Sequence, residues 1–331
     1  MNIKKLALAA AVMSIGAAGH AQAGALATGL LTISNFALGT STLGGFSAFD
    51  NTQFSILSIN DNATNTATLN GVPTAQFGNS PVLGATVDAA LACVGPGCGG
   101  QNIFLGATTP PMALFSRSDS LLSGTPINIV AGSLGGGLPV ATIPAGVLAQ
   151  TIAETSLPAN GNGSAGSQIN LTSTLQFVLG TSIANAAISF SADDFLNAWT
   201  SVGSLPGTSA GANTAWSITL SGPLGTLISW TPDGNTGGGN HIGLTEVTDP
   251  CNLTNNVSAS FNQQLSPVSC AGNFLAVANG ITLIAGTNYS LNIGHNSQSN
   301  AVSAVPEPAS LALLGIGFFG LGFASLRKKG A

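Results

Sequence analysis

The sequence predicts an all-β body, an antiparallel β-sandwich of Ig-like or jelly-roll-like kind. It sits between an N-terminal signal peptide (residues 1–23) and a C-terminal tail (305–331) holding one transmembrane helix (309–326). Three observations carry that reading. Short apolar runs alternate with small polar residues and are broken at close spacing by Gly, Pro and Asn, the punctuation of strands and turns. Only 5% of the chain is charged while 44% is hydrophobic, with 15 Phe, so a core can be filled and disorder is not expected. Five of the six Lys and Arg residues stand at the two extremes, where export and membrane signals lie.

From the amino terminus, Lys4-Lys5 form a charged start, Leu6 to Ala18 an apolar stretch, and Ala21-Gln22-Ala23 a small-residue cleavage signal. Cleavage is placed between Ala23 and Gly24. The apolar stretch of 13 residues falls short of the roughly 20 needed to span a bilayer, which favours removal over anchoring.

The body, 24–304, shows its clearest alternation at Leu171, Leu175, Phe177 and Leu179, at Trp216, Ile218 and Leu220, at Val257, Ala259 and Phe261, and at Tyr289, Leu291 and Ile293. Each set points to one face of a strand. Further strands are expected at Leu31 to Leu38, Phe54 to Ile59, Ala187 to Ser191, Leu227 to Trp230 and Gly280 to Ile284. Their polar partners are Ser, Thr, Asn and Gln, which predicts an outer face that is wet but nearly uncharged. Leu83 to Val94 and Pro144 to Glu154 are compatible with short helices inside this β pattern. No repeat of solenoid or propeller period is visible.

Four cysteines in an exported chain predict two local disulfides, Cys93 with Cys98 and Cys251 with Cys270. Zinc is not expected, because the spacings match no zinc pattern and His241 and His295 are not suitably placed. Arg117 is the one cation of the body against ten acids, a formal charge of −9. Nucleic acid is excluded as a partner, since phosphate binding needs several cations.

No catalytic residue, cofactor or metal is assigned. Gly207-Thr208-Ser209-Ala210-Gly211 matches G-x-S-x-G and precedes Asp233, Asp249 and His295 in hydrolase order. It lacks the strand-turn-helix context a nucleophile elbow needs. Gly161-Asn162-Gly163-Ser164-Ala165-Gly166 fits a dinucleotide fingerprint, but the strand-like alternation after it leaves no helix amino terminus for a pyrophosphate. Asp193 and Asp194 should point to opposite faces and so cannot act as an acid/base pair. Asp233, Asn235, Glu246 and Asp249 fall in a Gly-rich region that can gather oxygens for calcium, although as turn residues they have an alternative role. Trp199, Trp216 and Trp230 are candidates for a sugar-stacking platform or, with Phe outnumbering Trp 15 to 3, for the core.

The tail has three parts: Val305-Pro306-Glu307-Pro308, the apolar run Ala309 to Leu326, and the basic stop Arg327-Lys328-Lys329. The run of 18 residues reaches about 27 Å as a helix, enough to cross a hydrocarbon core. The basic stop stays cytoplasmic by the positive-inside tendency, which leaves the body on the outer face of the inner membrane. Pro306 and Pro308 disfavour helix and hold an extended, accessible segment beside the membrane.

These residues, Val305 to Lys329, resemble the PEP-CTERM sorting signal of exported bacterial proteins. The resemblance implies a Gram-negative, matrix-producing bacterium whose inner-membrane exosortase recognises Pro306-Glu307-Pro308 and cuts near it. It also implies delivery of the body to the cell surface or the extracellular polysaccharide matrix. The expected protein is thus a non-catalytic surface or matrix component with exosortase, the inner membrane and extracellular polysaccharide as partners. A carbohydrate-binding or adhesive module is the second expectation and an exported hydrolase the third.

Overall fold

A computed structural model of the chain describes residues 24–42, 45–58, 60–82, 84–99, 104–106, 113–130, 143–158, 161–237, 240–278 and 280–304. The signal peptide through Ala23, and the tail with Val305-Pro306-Glu307-Pro308, the span 309–326 and Arg327-Lys328-Lys329, lie outside the described residues.

The strands in chain order are β1 (Ala25–Thr42), β2 (Gly45–Ala48), β3 (Phe54–Ser58), β4 (Asp61–Leu69), β5 (Val72–Ser80), β6 (Gly84–Val94), β7 (Phe115–Gly124), β8 (Val147–Leu157), β9 (Gly161–Leu179) and β10 (Ile183–Ala184). They continue with β11 (Ala186–Thr200), β12 (Ser209–Gly222), β13 (Gly225–Trp230), β14 (His241–Ile242), β15 (Thr245–Thr248), β16 (Asn255–Ser260), β17 (Val268–Val277), β18 (Thr282–Leu283) and β19 (Asn288–Ser303). Pairing between these strands is antiparallel throughout. The first sheet runs β15-β17-β11-β1-β8-β7-β6 with β2 beside β1; the second runs β14-β13-β12-β19-β9-β4-β5 with β16 beside β12 and β3 beside β9. The short pair β10–β18 stands apart.

The two sheets share an apolar core, to which the first gives Leu31, Ile33 and Phe190 and the second Trp216, Ile218 and Leu291. Phe190 is at its centre, stacked on Phe274 at 4.8 Å and 4.5 Å from the Trp216 ring. Trp230 meets Trp216 edge-on at 5.9 Å, an arrangement the ring quadrupoles favour.

Side-chain size then falls along the strands. The buried residues of β19 read Tyr289, Leu291, Ile293, His295, Ser297, Ser299, Ala301 and Ser303, as alternation on one inward face requires. Beyond the large core the sheets are linked by hydroxyls: Thr151 with Ser297 at 2.7 Å, Thr155 with Ser299 at 2.9 Å, and the Ser118 hydroxyl donating to the Thr66 carbonyl at 2.8 Å. A smaller apolar cluster of Ala25, Ala27, Leu157, Leu196, Ala210 and Ala301 closes the far end. Gly29 marks the waist between the two clusters, where a Cβ would lie 2.9 Å from the Asn213 carbonyl oxygen and 3.1 Å from that of Gln298.

The expected strands at Leu31 to Leu38, Ala187 to Ser191 and Leu227 to Trp230 fall inside β1, β11 and β13. Trp216, Ile218 and Leu220 share the buried face of β12, as do Tyr289, Leu291 and Ile293 on β19. Three expectations need correction. The candidate helices at Leu83 to Val94 and Pro144 to Glu154 are the strands β6 and β8, and no helix occurs among the described residues. For β8 the Ala, Gln and Glu content suits a helix, but β1 and β7 bond both its edges and the residues from Thr151 to Leu157 are buried on both faces. Tertiary context overrides propensity there. Second, the Ser and Thr residues do not only wet the outside, because many are buried between the sheets. Third, Phe261 lies past the end of β16 and is exposed rather than facing the core with Ala259.

Candidate functional site

The Ser209 and His295 of the G-x-S-x-G reading are not brought together. Ser209 opens β12 opposite Val302, whereas His295 pairs with Trp216 seven positions further along, which separates the two by roughly 23 Å at the rise of a strand. Buried His295 donates from Nε2 to the Leu31 carbonyl at 3.0 Å, and burial lowers its pKa to about 4, so it is neutral and inside the core. The glycines from Gly161 to Gly166 lie within β9, so no helix terminus follows them.

Asp193 is exposed and Asp194 buried, on opposite faces of β11 as a strand dictates. Asp194 accepts from the Thr214 hydroxyl at 2.8 Å and from Asn255 Nδ2 at 3.2 Å, both on the other sheet. Burial raises its pKa and those hydrogen bonds oppose the rise. It is a polar tie between the sheets. Arg117 is likewise committed: Nε donates to Glu154 Oε2 at 2.8 Å, Nη2 lies 2.7 Å from the same oxygen, and the guanidinium sits 4.6 Å from the Phe115 ring centre.

Trp216 and Trp230 are fully buried in the large core and Trp199 is half-buried, so the three do not form a sugar platform. Instead, a neutral groove runs over β12, β16 and β19, lined by Ser209, Asn213, Asn256, Ser258, Gln263 and Asn300. Its hydroxyls and amides offer hydrogen bonds without charge.

One predicted acidic group does come together. Asp233 follows β13, Glu246 lies in β15 and Asp249 follows β15, and one carboxylate oxygen of each lies within 4.8 Å of the others. Glu246 and Asp249 are buried. Glu246 Oε1 accepts from the Trp230 indole at 2.7 Å, and Asp249 Oδ2 from the backbone N–H groups of Asp233 and Gly234 at 3.0 and 3.1 Å. Burial is the largest cause holding both carboxyls above the ordinary carboxylate range, and the like charge of Asp233 adds to it. Asn235 touches the group through its backbone, the N–H donating to Asp233 Oδ1 at 2.9 Å, while its side-chain Oδ1 accepts from the Gly237 N–H at 3.1 Å as a turn residue does.

Both predicted disulfides are formed. Cys93–Cys98 closes the turn after β6, with Cα atoms 5.8 Å apart, and Cys251–Cys270 joins the segment after β15 to β17, with Cα atoms 6.2 Å apart. The second encloses β16, which pairs with β12 of the other sheet.

The two ends of the body are bonded to one connection. Gly24, the predicted mature amino terminus, donates from its N–H to Ser201 Oγ at 2.9 Å and accepts from the Ser201 N–H at 2.9 Å. Ala304, just past β19, donates from its N–H to the Thr208 hydroxyl at 3.2 Å. One connection, 201–208 between β11 and β12, therefore holds both.

Residues 304–328 match the family model of the PEP-CTERM protein-sorting motif. The tail is a PEP-CTERM sorting motif. The match begins at Ala304, the residue after the last described strand, β19. A PEP-CTERM motif implies an exported protein, anchored at the membrane until exosortase processes it. No curated protein and no solved structure matches the chain.

Sequence reasoning missed the hydroxyl contacts between the sheets and the Asp194–Thr214–Asn255 link. A signal was present, because Ser116, Ser118 and Ser120 and then Ser297 and Ser299 alternate like core residues. It also missed the hairpin of β4 and β5, although Asn70-Gly71, both at positive φ, is the strongest short hairpin signal there is.

Proposed function

We propose that this protein is a non-catalytic component of the cell surface or extracellular matrix. It is exported, held in the inner membrane by the span 309–326, cut near Pro306-Glu307-Pro308 by an exosortase, and left associated with exopolysaccharide. The observation that carries the reading is the PEP-CTERM motif at 304–328 joined to a strand-built body with one cation. The separation of Ser209 from His295 and the burial of Asp194 on β11 and His295 on β19 support a role without catalysis. The Ig-like or jelly-roll-like sandwich belongs to the same proposal and rests on the two antiparallel sheets that share one apolar core.

Fractionation of cells with and without the exosortase tests the route. With the enzyme, the body is found outside the inner membrane with a new carboxy terminus near Pro306-Glu307-Pro308. Without it, the full tail stays in the membrane. Identical carboxy termini and identical fractions in both strains would refute the proposal.

The neutral groove over β12, β16 and β19 favours a second reading, a carbohydrate-binding or adhesive module that uses amide and hydroxyl hydrogen bonds. Retention on the organism's own matrix polysaccharide, lost in Asn213→Ala combined with Asn300→Ala, is its expected signature.

A further inference from the structure

We propose that Asp233, Glu246 and Asp249 hold a divalent hard cation, Ca²⁺, which clasps the two sheets at their neighbouring edges. The geometry is the first reason. Oxygens bound to one calcium at about 2.4 Å can be no more than about 4.8 Å apart, and the three carboxylates meet that limit. A second observation is independent of the clustering. Glu246 Oε2 and Asp249 Oδ1 are buried and have no hydrogen-bond partner, whereas the other oxygen of each carboxylate is satisfied. Burying an acceptor without a partner is unfavourable, and a cation at the shared centre would satisfy both.

The donor set decides the class of ion. Carboxylate oxygens suit hard cations, and calcium tolerates the irregular geometry that magnesium resists. His241 Nδ1 lies 3.6 Å from Glu246 Oε1, too far to be a hydrogen bond. It adds a nitrogen beside the site without belonging to the carboxylate triad.

Position supplies the role. Trp230 is on β13 of the second sheet, next to the edge strand β14, while Glu246 is on β15, the edge strand of the first. The Cys251–Cys270 disulfide begins two residues after Asp249. A bound cation would therefore join the sheet edges beside a covalent staple.

The full chain in detergent tests the proposal by thermal melting in Ca²⁺ against EDTA. At about 10 mM Ca²⁺, with an affinity usual for extracellular sites, Tm rises by about 3–8 °C. Glu246→Gln and Asp249→Asn each abolish the increment, whatever they do to the starting Tm, and Asp233→Asn serves if neither variant accumulates folded. Terbium(III) emission excited through Trp230 gives a direct reading, displaced by Ca²⁺ and lost in the same variants. Equal Tm in Ca²⁺ and EDTA, an increment that survives the substitutions, or a response to Zn²⁺ without one to Ca²⁺ would each overturn it.

Discussion

Asp61 is 8% exposed at the start of β4, and burial raises its pKa to about 6 from the ordinary 3.8, while burial lowers that of His295 from 6.5 to about 4. The signs are opposite. Between about pH 4 and 6 the folded chain holds a proton on Asp61 that the unfolded chain has lost, so this group's stabilisation is full in acid and disappears as pH rises through 6. Asp61→Asn should therefore stabilise the protein at pH 7.5 by about 2 kcal/mol and change little at pH 4. His295 refuses a proton that the unfolded chain accepts below about pH 6.5, so its contribution is lost as pH falls toward 4, by up to ~3 kcal/mol. His295→Gln keeps a donor for the Leu31 carbonyl and should flatten the acid limb of stability. Urea melts of the variants across that range check both.

Along each element the decisive variable is the size of the inward side chain. β1 passes from Ala25 and Ala27 through Gly29 to Leu31 and Ile33, and β19 makes the same gradation in reverse order. At Gly29 an added methyl meets carbonyl oxygens of two strands that are themselves paired, Asn213 with Gln298, so neither can yield alone. Gly29→Ala should cost about 1–3 kcal/mol, read as a fall in the urea midpoint. Alternation of large apolar residues made β12, β13 and the first half of β19 legible in the sequence. The second half of β19 was not, because Ser297 and Ser299 alternate correctly but belong to a class normally placed outside. β6 and β8 were obscured differently, by Ala-rich segments whose strand state is set by neighbours distant in sequence. Of the acidic group, the residue types were legible from their Gly-rich setting, but no local spacing could bring Glu246 to Trp230, since that contact depends on how two sheet edges meet.

For the whole molecule, every strand among the described residues lies between Ala25 and Ser303, and the sorting motif begins at Ala304. Removal of the tail should thus leave the melting temperature unchanged, a comparison of processed protein with the full chain that requires only calorimetry. The staple Cys251–Cys270 closes a loop of 20 residues and contributes about 3 kcal/mol through the unfolded state. The pole at 201–208 that receives Gly24 and Ala304 is remote from the carboxylate triad. Trp230 pairs with Ile218, nine positions along β12 from Ser209, which is roughly 30 Å of strand. Gly24 and Ala304 both bond the 201–208 connection, so a tether at either terminus would pull on the same handle, and severing one or both would leave the opposite end of the body as it was.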